Sequence, residues 1–168
     1  MEHYTAHPIP PAALKELRTA DDAGRAPAPF TDTEGGAPLR CWLRRSTPGE
    51  SVVLVSYAPL RRRAARTGAD PGAYDEQGPV FVHAEECTGP EGDDGLAFTN
   101  AHRTVRRYSA EGRILGGRLV GGAGDFGPAL REAFDDPAVE FVHVRAVEYG
   151  CFLYEVTRGG QAQGTSRG

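Results

Sequence analysis

Phe141-Val142-His143-Val144-Arg145-Ala146 alternates a ring or a charge with a small apolar residue. After the short link Val147–Gly150 it is followed by Cys151-Phe152-Leu153-Tyr154-Glu155-Val156. Both runs read as β-strands, and so short a link between them predicts a hairpin. The period of two sets Phe141, His143 and Arg145 on one face of the first strand and Val142 and Val144 on the other.

Upstream, Asp125–Phe134 predicts a helix in which Phe126, Leu130 and Phe134 recur on one side. Asp125 is placed to cap it, Pro128 fits the first turn, and Asp135-Asp136-Pro137 ends it. Thr104–Ser109 and Arg113–Val120 predict a second hairpin across Ala110-Glu111-Gly112. Pro79–Ala84 is a further strand with proline at its start. Ser51–Tyr57 is valine-rich enough for a central strand. It is expected to pair with Leu39–Arg45 across the turn Thr47-Pro48-Gly49-Glu50. Ala58–Gly78, containing Arg61-Arg62-Arg63-Ala64-Ala65-Arg66, and the acidic Glu85–Ala101 read as long loops. Near the N-terminus, Ala12–Arg18 after Pro10-Pro11 reads as a short helix.

About seven hairpin-linked strands and about two packed helices predict an α+β fold built mainly on an antiparallel sheet, with long loops. Residues 1–38 are expected to form an N-terminal helix and linker-like segment packing on the core. Residues 39–158 form a single core domain, and 159–168 a polar tail.

The 168 residues, 39% of them hydrophobic, suffice for a core without disulfides or metal. The net charge of −4 argues against nucleic acid as a partner. Lys15 is the only lysine, and the arginine excess beside abundant Ala, Gly and Pro reads as codon bias. No apolar run approaches the ~20 residues of a membrane-spanning helix, and Met1–Pro11 lacks the pattern of a signal peptide. The odd set Cys41, Cys87 and Cys151 does not resemble a secreted disulfide framework. A cytoplasmic protein with no membrane partner is expected.

No nucleotide-binding glycine loop, nucleophile elbow or paired-cysteine knuckle is present. Gly121-Gly122-Ala123-Gly124 before a helix is more simply a connection than an anion cradle. The informative residues are the polar ones inside strands. His83, which shares a face with Phe81, and His143 and Arg145 would form the floor of a polar pocket, or else part of a solvated sheet face. The pairs His83/Cys87 and His143/Cys151 carry zinc-type donors at spacings that are not diagnostic, and no metal or cofactor is expected. Cys151 and Cys41 are expected to be packing residues, with Cys151 buried beside Phe152, Leu153 and Tyr154. The Arg61–Arg66 run reads as a solvated surface or an acidic partner's contact.

Four blocks resemble a known family: Arg40-Cys41 with Pro48-Gly49-Glu50 and the run to Tyr57; Gly78-Pro79-Val80-Phe81-Val82-His83 with Cys87; Arg107-Tyr108 with Gly112; and Val142-His143-Val144-Arg145 with Glu148-Tyr149-Gly150-Cys151-Phe152 and Arg158. In this order they resemble the bacterial family catalogued as domain of unknown function 1203. The resemblance implies no activity. It directs attention to His83, Cys87, Arg107, His143, Arg145, Tyr149 and Cys151. Ala146 stands where the family pattern has asparagine, and Arg61–Arg66 falls outside that pattern.

The leading expectation is a protein that binds an acidic small molecule, or an enzyme acting on one. His83 and His143 would be the acid–base residues, and Arg145, Arg107, Tyr57 and Tyr149 would hold the substrate. A non-catalytic interaction module is the alternative. Homo-oligomerisation through the Arg113–Val120 edge, with Ile114, Leu115, Leu119 and Val120, stays open.

Overall fold

In the computed structural model, residues 3–90 and 96–159 are described. The polar tail beyond Gly159 and residues 91–95 of the acidic loop therefore lie outside the described residues.

The α+β class holds, but among the described residues the strands form two five-stranded sheets rather than one. The first contains β1 (Tyr4–His7), β7 (Arg103–Tyr108), β8 (Ile114–Val120), β9 (Phe141–Ala146) and β10 (Phe152–Arg158), in the order β1-β10-β9-β7-β8. The second contains β2 (Phe30–Asp32), β3 (Pro38–Leu39), β4 (Arg44–Arg45), β5 (Glu50–Tyr57) and β6 (Gly78–His83), in the order β2-β5-β6-β3-β4. All pairings are antiparallel except β3 with β6. Among the described residues there are three α-helices: α1 (Pro11–Leu17), α2 (Pro59–Thr67) and α3 (Ala123–Asp135). None is long and apolar enough to cross a membrane.

The two C-terminal hairpins form as the alternation requires, β7 with β8 and β9 with β10. Helix α3 lays Phe126, Leu130 and Phe134 against Val105, Val142 and Val144. Gly122, not Asp125, occupies its N-cap, and Asp125 lies in the first turn. The predicted hairpin of Leu39–Arg45 with Ser51–Tyr57 does not form. Leu43 takes φ 59° and its N–H bonds back to the Leu39 carbonyl, so that segment breaks into β3, a turn and β4. β5 instead pairs with β2 and β6. The first 38 residues supply an edge strand to each sheet, β1 and β2. Asp21 and Asp22 accept backbone N–H bonds from Ser56 and Ala58.

Helix α2 replaces part of an expected loop. Pro59 fits a first helical turn, Arg and Ala are good helix formers, and Gly68 at φ 75° terminates it. Its Leu60 packs on Tyr108 and Phe141. The face of β9 that carries Phe141, His143 and Arg145 is therefore covered, and this strand is buried on both sides rather than solvated on one. The cores of the two sheets meet where the Tyr57 and Phe152 rings approach to 5.5 Å.

Candidate functional site

Between β9 and β10 the chain turns at Gly150, whose φ of 67° is one that glycine adopts without strain. This turn holds Tyr149 and Cys151 over a groove of about 610 Å³ between the sheets. One wall is the face of the second sheet that bears Leu54, Pro79 and Phe81. The other carries Arg103, Ala146 and Leu153 from the first sheet, with Arg40 and Arg45 contributed from either end of the β3–β4 turn.

Three guanidinium groups thus converge on a largely apolar groove. Arg40 is buried and donates to the carbonyls of Phe152 at 2.8 Å and Pro38 at 2.6 Å. Arg103 donates to the carbonyls of Phe98 and His102, and Arg45 to that of Gly36. These acceptors are neutral. Among the described residues, none of the three arginines has a carboxylate within ion-pairing distance. Burial lowers Arg40 to about 10, and the neighbouring charges of Arg45 and Arg103 push the same way. Burial and then Arg45 likewise lower Arg103. The acidic residues of the lining are engaged elsewhere: Asp32 with Ser46 and the Gly35 N–H, Glu148 with His102.

A smaller cavity of about 220 Å³ adjoins the groove and shares Pro79, Tyr149 and Cys151 with it. Tyr57 and Arg145 line this second cavity. Arg145 does not present a free fork there. It donates to Glu76 at 2.8 Å and to the Gly150 carbonyl at 3.0 Å, and Arg106 joins the same carboxylate at 3.2 Å. Arg107 faces away, its guanidinium lying across Gly116 on β8, and it lines neither cavity. Cys151, expected to be buried, is half-exposed at the junction of the two cavities, because it precedes β10 and follows the surface turn.

His83 and His143 do not share a sheet face; they sit in different sheets. His143 is fully buried among the rings of Tyr108, Phe141 and Phe152, and lines neither cavity. Its Nε2 lies 3.2 Å from Glu155, to which Arg63 of α2 also donates at 3.1 Å. Burial lowers the His143 pKa, so the ring is neutral and Nε2–H is the donor.

His83 ends β6 in a different cluster. Its Nδ1 lies 3.4 Å from the Cys41 sulfur, and its backbone N–H donates to the same sulfur at 3.2 Å. Its Nε2 lies 3.1 Å from Glu50, which Arg44 holds through two bonds of 2.7 and 3.0 Å. Those bonds keep the Glu50 carboxyl well below its usual range. Cys87 completes the group: its sulfur, that of Cys41 and a ring nitrogen of His83 all lie within 4.8 Å of one another. Burial pushes the Cys41 thiol up to about 12. Of the two His/Cys pairs, His83 and Cys87 converge, with Cys41 as the third member; His143 and Cys151 remain outside the cluster.

Arg40, Arg45 and Arg103 were not among the expected site residues. For Arg40 there was a local signal, a charge set between Leu39 and Cys41-Trp42 in an otherwise apolar stretch. No curated protein and no solved structure matches the chain. One family model matches residues 36–158, the span holding every wall of the groove except Phe30, Asp32 and Gly35. The chain belongs to that family, described as "Protein of unknown function (DUF1203)".

Proposed function

We propose that the chain binds a small anionic molecule, a carboxylate or a phosphate ester, in the groove between the sheets. The observation that carries this reading is the convergence of Arg40, Arg45 and Arg103 without a carboxylate partner among the described residues. The charges of Arg45 and Arg103 lower the affinity of Arg40 for its proton, and that of Arg45 lowers the affinity of Arg103. An anion relieves that repulsion and accepts the donors not spent on carbonyls. The apolar walls, Phe30, Leu54 and Phe81 among them, suit a ligand with a hydrophobic portion. Tyr149 and Cys151 sit at the rim.

Thermal unfolding with inorganic phosphate, phosphonates and dicarboxylates, against chloride at equal ionic strength, tests this. A ligand at about 100 times its Kd adds about 2.7 kcal/mol to stability. The same ligand should slow iodoacetamide labelling of Cys151, and Arg45→Gln should weaken both effects. If no anion stabilises the protein beyond chloride, or Arg45→Gln responds like the parent, the groove is not an anion site.

A further inference from the structure

We propose that Cys41, His83 and Cys87 are the protein ligands of a Zn2+ site, with the fourth position left to solvent. This is independent of the anion groove: none of the three residues lines it.

Two thiols and an imidazole are a donor set that zinc takes in tetrahedral sites, and three protein ligands plus water is its open, catalytic arrangement. Ligand atoms around a tetrahedral zinc stand about 3.5–3.8 Å apart, given Zn–S of about 2.3 Å and Zn–N of about 2.0 Å. The Cys41 sulfur and His83 Nδ1 are 3.4 Å apart, and the whole set lies within 4.8 Å. Closing a metal site here therefore needs small side-chain rotations, not backbone movement.

The surroundings match what a zinc-bound histidine requires. Its second nitrogen is engaged by a carboxylate, Glu50, which fixes the ring and leaves the Nδ1 lone pair for the cation. Arg44 in turn fixes Glu50. The Trp42 ring packs edge-on against the imidazole at 5.8 Å. Cys41 is held by the β3–β4 turn, His83 by the end of β6 and Cys87 by the loop that follows, so two backbone segments distant in sequence are tied at one point.

Access and charge are also provided. Cys87 lines a cleft of about 410 Å³ with Leu14, Arg18 and Glu86. Arg18 anchors to the His83 carbonyl at 3.0 Å, while its Nη2 is buried with no partner among the described residues. Burial opposes ionisation of the Cys41 sulfur, and the His83 N–H bond and the Arg18 charge act against that. Binding displaces one proton from each thiol, and the two thiolates then neutralise the dication.

Titration of the reduced full-length chain with Co2+, followed by Zn2+ competition, is the test. One Co2+ per chain is expected, with thiolate charge-transfer absorption and d–d bands of tetrahedral intensity. Zn2+ should displace it and protect the half-exposed Cys87, but not Cys151, from alkylation. Cys87→Ser, at a half-exposed position, should weaken Co2+ binding by about 100-fold. Glu50→Gln should weaken it by about 10-fold, the scale of outer-shell changes, and Cys151→Ser not at all. A Co2+ spectrum without thiolate bands, binding that survives Cys87→Ser, or no binding by the reduced chain at micromolar metal overturns the proposal. None of these outcomes bears on the anion groove, whose test uses no metal.

Discussion

The Nε of Arg40 donates at 2.8 Å to the carbonyl of Phe152, a residue 112 positions later in the chain. Arg40 begins the turn after β3 in the second sheet, and Phe152 opens β10 in the first. The same guanidinium reaches the Pro38 carbonyl, so one buried side chain spans the two sheets beside the Tyr57–Phe152 contact. Even lowered to about 10, Arg40 stays charged at neutral pH.

Replacing it with lysine keeps the charge but cannot reproduce two donors in fixed directions. Arg40→Lys should cost about 1–3 kcal/mol, the scale of leaving buried acceptors unpaired. A lower urea midpoint at unchanged m is the expected result. A variant within about 0.5 kcal/mol of the parent would mean that apolar packing alone joins the sheets.

Buried His143 and half-buried His7 set an acid sensitivity. Burial lowers His143, against the opposing pull of Glu155, and lowers His7 as well. Burial would raise Glu155, but the His143 hydrogen bond and the Arg63 charge outweigh it and hold that carboxyl low. Arg145 and Glu76 are the other charges acting on His143. In the unfolded chain each imidazole takes a proton near pH 6.5, whereas the folded protein resists it. Stability should therefore be full above about pH 6.5 and fall as the pH drops below it. His143→Gln should be less stable at pH 8 yet lose less stability between pH 7.5 and 5. Equal slopes for the two proteins, in urea unfolding at each pH, would refute this assignment of the acid sensitivity.

The arginine run of α2 is used inside the molecule. Arg62 pairs with Asp22 and Glu16, Arg61 with Asp75, and Arg63 with Glu155. Arg62 and Asp22 are largely shielded, with side chains 17% and 12% exposed. Arg62→Gln should therefore lower stability by about 1–2 kcal/mol, since it leaves the Asp22 carboxylate short of its cation. Chemical denaturation checks it. No loss of stability would return this segment to the role of a free surface open to an acidic partner.

Where neighbours in sequence decide, the fold was legible. The alternation in Phe141–Ala146 and Thr104–Ser109, and the four-residue recurrence of Phe126, Leu130 and Phe134, each report a local geometry that the chain adopts. Helix α2 was hidden by its composition: a charge run reads as solvated, yet these arginines find carboxylates on distant segments. Pro59 and Gly68 were the punctuation that marked its ends. The break in Leu39–Arg45 had no such mark, because Leu43 at φ 59° follows from the tertiary setting and not from residue preference.

For the candidate sites, the sequence by itself determined which side chains are chemically able: imidazoles and thiols in or beside strands, and arginines among apolar residues. It also carried the family relationship, through blocks in a fixed order. Only the tertiary structure decided which of them meet. His83 and His143 were expected together and are in separate sheets, while Cys41 reaches His83 across 42 positions. Arg145, expected to hold a ligand, is paired with Glu76, and the larger groove is lined by Arg40, Arg45 and Arg103. The physical reason is that periodicity and turn chemistry are written in residues a few positions apart. Convergence is set by sheet order and by how two sheets pack, and both are non-local.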